Sequence, residues 1–162
     1  MRGVHVQLIC VGRMKERFYL DAAAEYVKRL SAYCKLQVVE LPEERLPASP
    51  SRAQIDAALE KEGAAVLARL APGAALTALC VEGEAYSSEG LSGLLARWSA
   101  AGAGPLAFVI GGSYGLHPDV KARARLRLSM SPMTFPHHLA RVMLLEQLYR
   151  CFKIDEGSSY HK

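Results

Sequence analysis

Apolar runs of strand length alternate with helix-patterned stretches from one end of this chain to the other. No other feature narrows its folding options as far. Val4 to Val11 is apolar and β-branched and reads as a buried strand. Lys15 to Tyr33 follows with Phe18, Ala22, Tyr26, Leu30 and Tyr33 on one helical stripe. Lys35 to Leu41 reads as a second strand, ended by Pro42, and Glu43 to Pro50 as a surface loop. Ser51 suits the N-cap of a helix over Arg52 to Leu70. Ala75 to Val81, Pro105 to Ile110 and Arg125 to Met130 read as three more strands. Between them lie a helix over Glu89 to Ala100, capped by Ser87 or Ser88, and a short helix at Pro118. A long helix over His137 to Phe152 precedes a polar tail, Asp155 to Lys162. Such alternation predicts an α/β fold: a largely parallel sheet with helices on both faces. No linker or repeat divides the chain, so residues 1–162 are expected to form one domain.

Composition removes several classes of function. No apolar run approaches the roughly 20 residues that span a bilayer. The N-terminus enters a strand pattern at once, without a signal peptide's apolar region, which predicts a cytoplasmic protein. Cys10, Cys34, Cys80 and Cys151 form no CxxC pair and each sits in an apolar stretch, which suits buried thiols rather than disulfides or zinc. His137 and His138 are adjacent on a helix and so diverge by about 100°, and neither HxxxH nor HExxH is present. No metal is expected; either histidine suits a helix cap or packing beside the preceding loop. The net charge of +4 is compatible with an acidic partner without demanding one.

In open parallel sheets, ligands bind beyond the C-terminal ends of the strands. The third strand runs into Leu79-Cys80-Val81-Glu82-Gly83, the fourth into Gly111-Gly112-Ser113, and the fifth into Ser131-Pro132-Met133-Thr134-Phe135-Pro136. Gly111-Gly112 reads either as a tight turn or as backbone on which a ligand lies. It is neither a Walker A loop nor GxGxxG, which weighs against nucleoside triphosphates and dinucleotides. The proline-stiffened Ser129–Pro136 stretch reads as a plain strand-to-helix connection or as a main-chain grip on an adenine edge. Lys121, Arg123, Arg125 and Arg127 would make a phosphate track if extended, and lose half of it if the first two are helical. The ending Ser159-Tyr160-His161-Lys162 gathers an aromatic, a titratable and a cationic group.

Three segments together, FVIGGSYGL, LSMSPMTFPHHLARVMLLEQLYRCFKI and the ending SSYHK, resemble the ribosomal RNA large subunit methyltransferase H family of the SPOUT class. VHVQLICVGRMKE and ALCVEGEAYSSEGL are similar to it as well, so the resemblance covers essentially the whole chain. It implies a C-terminal trefoil knot, a homodimer, and S-adenosylmethionine (SAM) as cofactor. It implies methylation of N3 of a pseudouridine in 23S ribosomal RNA within the assembled ribosome. Leu79 and Gly112 match cofactor positions, and Ser131, Pro132, Met133, Thr134, Phe135 and Pro136 match the loop that wraps the adenosine. Tyr160 and His161 match the family's terminal Tyr-His. Lys162 stands where many members carry Arg and loses the planar guanidinium fork. Ser159 replaces a frequent proline.

Chemistry then assigns expected roles. A pseudouridine N3 carries a proton that must leave as the methyl arrives. His161 or Tyr160 is expected to take it. Arg141, Arg150 and Lys162 are expected to hold phosphates or developing charge, with Glu146 orienting an arginine. The chain has no separate RNA-binding domain, so RNA is expected to bind across a dimer. Competing readings are a catalytically inactive α/β RNA- or ribosome-binding protein, a SPOUT methyltransferase acting on transfer RNA, and a small-ligand sensor of flavodoxin-like architecture.

Overall fold

The computed structural model describes residues 1–161. Five strands form one parallel sheet: β1 (Val4–Val11), β2 (Cys34–Leu41), β3 (Ala75–Ala85), β4 (Leu106–Ile110) and β5 (Leu126–Ser129). Their order across the sheet is β2-β1-β4-β3-β5. The five helices are α1 (Arg17–Leu30), α2 (Arg52–Arg69), α3 (Ser88–Ala100), α4 (Pro118–Arg123) and α5 (His137–Asp155).

The period-2 alternation of side chains along each strand divides the interior into two cores. Val6, Leu8, Cys10, Leu106, Phe108, Ile110 and Leu128 face α1, α3 and α5. Ile9, Val11, Leu76, Ala78, Ala107 and Val109 face α2 and α4 through Val66 and Val120. Apolar residues on both faces of the central strands are what a sheet covered on both sides requires. Leu30, Leu144, Leu145 and Leu148 retain at most 1 % of their surface, each contributing roughly 2 kcal/mol of burial. α5 is the central helix of its layer, and the Ser92 hydroxyl donates to the Cys151 carbonyl at 2.8 Å to join α3 to it. On the opposite face Gln7 reaches α2: its Nε2 donates to the Arg69 carbonyl and its Oε1 accepts from the Ala71 amide, both at 2.9 Å.

Several local expectations are met. Ser51 caps α2 in a capping box with Gln54, and Ser87 caps α3 by accepting from Gly90. Pro118 occupies the first turn of α4, whose N-cap is His117. Two differ. β3 does not end at Val81 but continues to Ala85 across an irregularity: Leu79 and Glu84 both register with Leu128, so Cys80 to Gly83 bulge out of the ladder. Gly83 makes this possible, because a Cβ there would lie 2.6 Å from the Arg127 carbonyl oxygen. Lys121 and Arg123 are helical, so the extended basic track does not form. Instead, Lys121 pairs with Glu82 and the Arg125 guanidinium lies over the Trp98 ring.

Among the described residues no helix is long and apolar enough to cross a membrane, and no group of three or more His, Cys, Asp and Glu side chains could hold a metal.

Candidate active site

The exits of β3, β4 and β5 converge on one cavity of about 670 Å³. That falls within the range typical of small-molecule sites, roughly 300–1,000 Å³. Leu79, Gly112, Ser131, Met133, Thr134, Phe135 and Pro136 line it, together with the bulged Cys80 to Glu82 and His137. Pro132 belongs to the same loop without lining the cavity.

Main-chain close approach shapes the β4 exit. A Cβ on Gly111 would lie 2.6 Å from the Gly115 carbonyl carbon, and one on Gly112 would lie 2.6 Å from Glu43 Oε1. That carboxylate accepts from the Ser113 amide at 2.7 Å, so it ties the loop after β2 to the loop after β4. Sequence reasoning placed Glu43 in a surface loop and gave it no role at the site. The contact spans 70 positions and leaves no local pattern. The β5 exit loop is held by its own hydroxyls: the Ser129 hydroxyl donates to the Ser131 carbonyl, and the Ser131 hydroxyl accepts from the Met133 amide. Narrow glycine backbone on one side and a stiff loop with a large thioether and a phenyl ring on the other fit a flat, partly polar ligand such as SAM.

The histidines at the start of α5 do not cap it. Its N-cap is Pro136, with no side-chain cap. His137 lines the cavity, and His138 packs at 6.2 Å from the Tyr19 ring. Burial, then the neighbouring His137 and Arg141, hold the His138 pKa below its ordinary value.

Arg141 is placed differently from expectation. It is only 5 % exposed, and its guanidinium donates to Glu40 at 2.7 Å and to the Gly12 carbonyl at 3.1 Å. A guanidinium bound in the interior to a carboxylate and a carbonyl is not presented to a phosphate. Arg141 therefore braces the β1 and β2 exits under the cavity. Burial acts to raise the Glu40 pKa, but the Met14 amide and Arg141 outweigh it, and the net shift is downward.

The C-terminal residues gather elsewhere, against α3 and α5. Arg150 donates to Glu146 through Nε at 3.0 Å and stands 3.2 Å from His161 Nδ1. The Tyr160 hydroxyl donates to Glu146 at 3.3 Å, with its ring edge-on to Tyr149 and beneath the Arg150 guanidinium. His161 Nε2 stands 2.7 Å from Glu89 at the start of α3. Partial burial and then the Glu146 charge push the Tyr160 phenol above its ordinary pKa. Arg150, Glu146, Tyr160 and His161, all named from sequence, are thus brought together; Arg141 is not among them. Lys162 lies outside the described residues. Neither Tyr160 nor His161 is among the residues lining the large cavity.

Comparison with known proteins agrees with this architecture. The model of a family described as "Predicted SPOUT methyltransferase" matches residues 4–161. A ribosomal RNA large subunit methyltransferase H from Pelotomaculum thermopropionicum is 49 % identical over 97 % of this chain and 98 % of its own. One from Bifidobacterium animalis subsp. lactis is 46 % identical over 98 % of this chain and all of its own. Among solved structures, a probable methyltransferase from Bordetella pertussis Tohama I superposes with a TM-score of 0.55 at 21 % identity, covering 92 % of this chain and 95 % of that one. A SpoU-type tRNA modifying enzyme from A. aeolicus gives 0.51 at 11 % identity, covering 96 % and 79 %; at these identities the likeness concerns the fold. The fold is that of the SPOUT methyltransferases. Within that class, the chain belongs to the family of ribosomal RNA large subunit methyltransferase H.

Proposed function

We propose that this chain is a SAM-dependent methyltransferase that modifies N3 of a pseudouridine in 23S ribosomal RNA of the assembled ribosome. The observation that carries the reading is the convergence of three strand exits on one cavity, lined by seven of the eight cofactor residues expected from sequence. The near-full-length relatives named for large-subunit ribosomal RNA methylation support the substrate. SAM, held against Leu79, Gly112 and the Ser131–Pro136 loop, would supply an electrophilic methyl group. We place the enzyme in the cytoplasm, with the C-terminal part of the chain threaded as a trefoil knot.

The chain's own groups supply positioning and proton removal. Binding both reactants in register accounts for much of the rate of such a transfer. The Tyr160 phenol is poorly suited as the base, since its pKa lies above its ordinary value. His161 takes the N3 proton, and Arg150, fixed by Glu146, steadies the imide oxygen as it gains charge. Lys162 pairs with a phosphate. In a homodimer, one protomer supplies the cofactor cavity and its partner the tail. The separation of Tyr160 and His161 from the cavity lining within one chain favours this arrangement.

The test is methyl transfer from labelled SAM to intact ribosomes, large subunits, free ribosomal RNA and transfer RNA from a strain lacking the modification. Label on pseudouridine in ribosomes is expected. Labelled transfer RNA, or SAM binding with no labelled ribosomal RNA, would overturn the substrate. For sharing, a subunit whose cavity is filled by Leu79→Trp is mixed with one lacking residues 160–162. Restored activity is expected, and an inactive mixture would refute the shared site.

A further inference from the structure

The contacts of His161 fix where its proton sits, and they point to a residue in α3 that sequence reasoning left out. Arg150 has only donors, so His161 Nδ1, 3.2 Å from its guanidinium, must be a bare acceptor. The neutral ring then carries its hydrogen on Nε2, which donates to Glu89 Oε1 at 2.7 Å. A carboxylate on one imidazole nitrogen, with the lone pair left on the other, is the arrangement that orients a histidine base and stabilises it once protonated. Glu89 lies 72 positions from His161, in the first turn of α3. There the helix backbone also favours a negative charge.

We infer that Glu89 is the positioning residue for His161, holding its Nε2–H tautomer so that Nδ1 accepts the N3 proton of the target base. The inference rests on the proposed role of His161 in the tail. As the N3 lone pair bonds the methyl carbon, the C–S bond breaks with its electrons going to sulfur, and the N3 proton passes to Nδ1. His161 becomes an imidazolium facing Glu89. Arg150 occupies the Nδ1 position without substrate and shifts to the imide oxygen when the base enters. Glu146 remains its anchor.

Among the described residues, the charged and titratable groups around His161 are Glu89 from α3, Arg150 and Glu146 from α5, and Tyr160 from the tail. Glu89 is more than half exposed, so its contribution to folding stability is small. Glu89→Gln should therefore leave unfolding and SAM affinity unchanged while altering the behaviour of the ring. Nitrogen-15 NMR of the full-length protein, with His161 identified by its loss in His161→Gln, should show the Nε2–H tautomer in the wild type. In Glu89→Gln, the Nε2–H tautomer should lose its dominance, because a side-chain amide can donate as well as accept. On ribosomes, kcat at neutral pH should drop about tenfold with KM unchanged, because a neutral amide orients the ring less firmly and stabilises the imidazolium less. An Nδ1–H tautomer in the wild type, or an unmoved tautomer balance and kcat in Glu89→Gln, would overturn the inference. Full turnover by His161→Gln would instead overturn the tail reading on which it rests.

Discussion

The contact between Glu43 and the glycine loop lends itself to a double-mutant cycle. A Cβ on Gly112 would stand 2.6 Å from Glu43 Oε1 and 2.8 Å from its Cδ. The obstacle is the end of a flexible side chain and Gly112 has no positive φ, so Gly112→Ala is accommodated by turning Glu43 away. The cost is then the hydrogen bond from Ser113 to Glu43, charge-assisted but exposed, about 1 kcal/mol. Glu43→Ala should cost the same, and the double variant should also cost about 1 kcal/mol, giving a coupling of about 1 kcal/mol between the two sites. Gly111→Ala is the control. Its Cβ would meet the Gly115 backbone, which cannot rotate aside, so it should cost about 3 kcal/mol with no rescue by Glu43→Ala. Urea unfolding at constant m-value measures the four states, and calorimetric SAM affinity should follow the same pattern. Strictly additive effects of Gly112→Ala and Glu43→Ala would refute the argument that Glu43 explains the need for glycine at position 112.

Other perturbations follow from the same geometry. Arg141→Met should destabilise by about 2–3 kcal/mol in chemical denaturation; this is below the usual cost of breaking a buried pair because water reaches Glu40. Because the Glu40 pKa is lowered on folding, its contribution is present above the ordinary carboxylate pKa and fades as pH falls through the folded value. Stability measured from pH 6 down to 3 should therefore decline less steeply in Arg141→Met. Gly83→Ala should cost about 2–3 kcal/mol, since the obstruction is the β5 backbone at Arg127 and Leu128. Among the cysteines, burial pushes Cys10 and Cys34 up to about 11 and Cys151 to about 12. Only Cys80, on the cavity wall, should react slowly with maleimide at pH 8, and SAM should protect it, as peptide mapping would show.

The elements were legible because their signals are local. The apolar, β-branched run Val4–Val11, the Ser51–Gln54 box and the Ser87 cap each act within a few positions. The cavity was legible for a topological reason: strand exits in a parallel sheet share one edge. The features that escaped depend on contacts between distant segments. The bulge from Cys80 to Gly83 is set by how β5 registers against β3. Arg141 looked like a surface phosphate ligand because polar and apolar residues of α5 are scattered round the helix without a clear stripe, so periodicity does not say which of its polar residues turns inward. Its partners, Glu40 and the Gly12 carbonyl, lie 101 and 129 positions away.

Two polar centres built on one helix suggest a division of labour. The N-terminal half of α5 is tied through Arg141 to the β1 and β2 exits, close to the cavity that His137 and Ala140 line. Its C-terminal half carries Glu146 and Arg150, which gather the tail. Buried in its middle by Leu144, Leu145 and Leu148, the helix is a rigid spacer between these ends. Four residues of helix advance about 6 Å, so Arg141 and Arg150 are separated by roughly 13 Å along the axis. In the proposed dimer, where the partner's tail meets this cavity, the spacing of the two ends of α5 sets where the tail is presented. Lengthening α5 by four residues between Leu148 and Arg150 should therefore abolish turnover while leaving SAM affinity intact, and retained turnover would refute the spacer role.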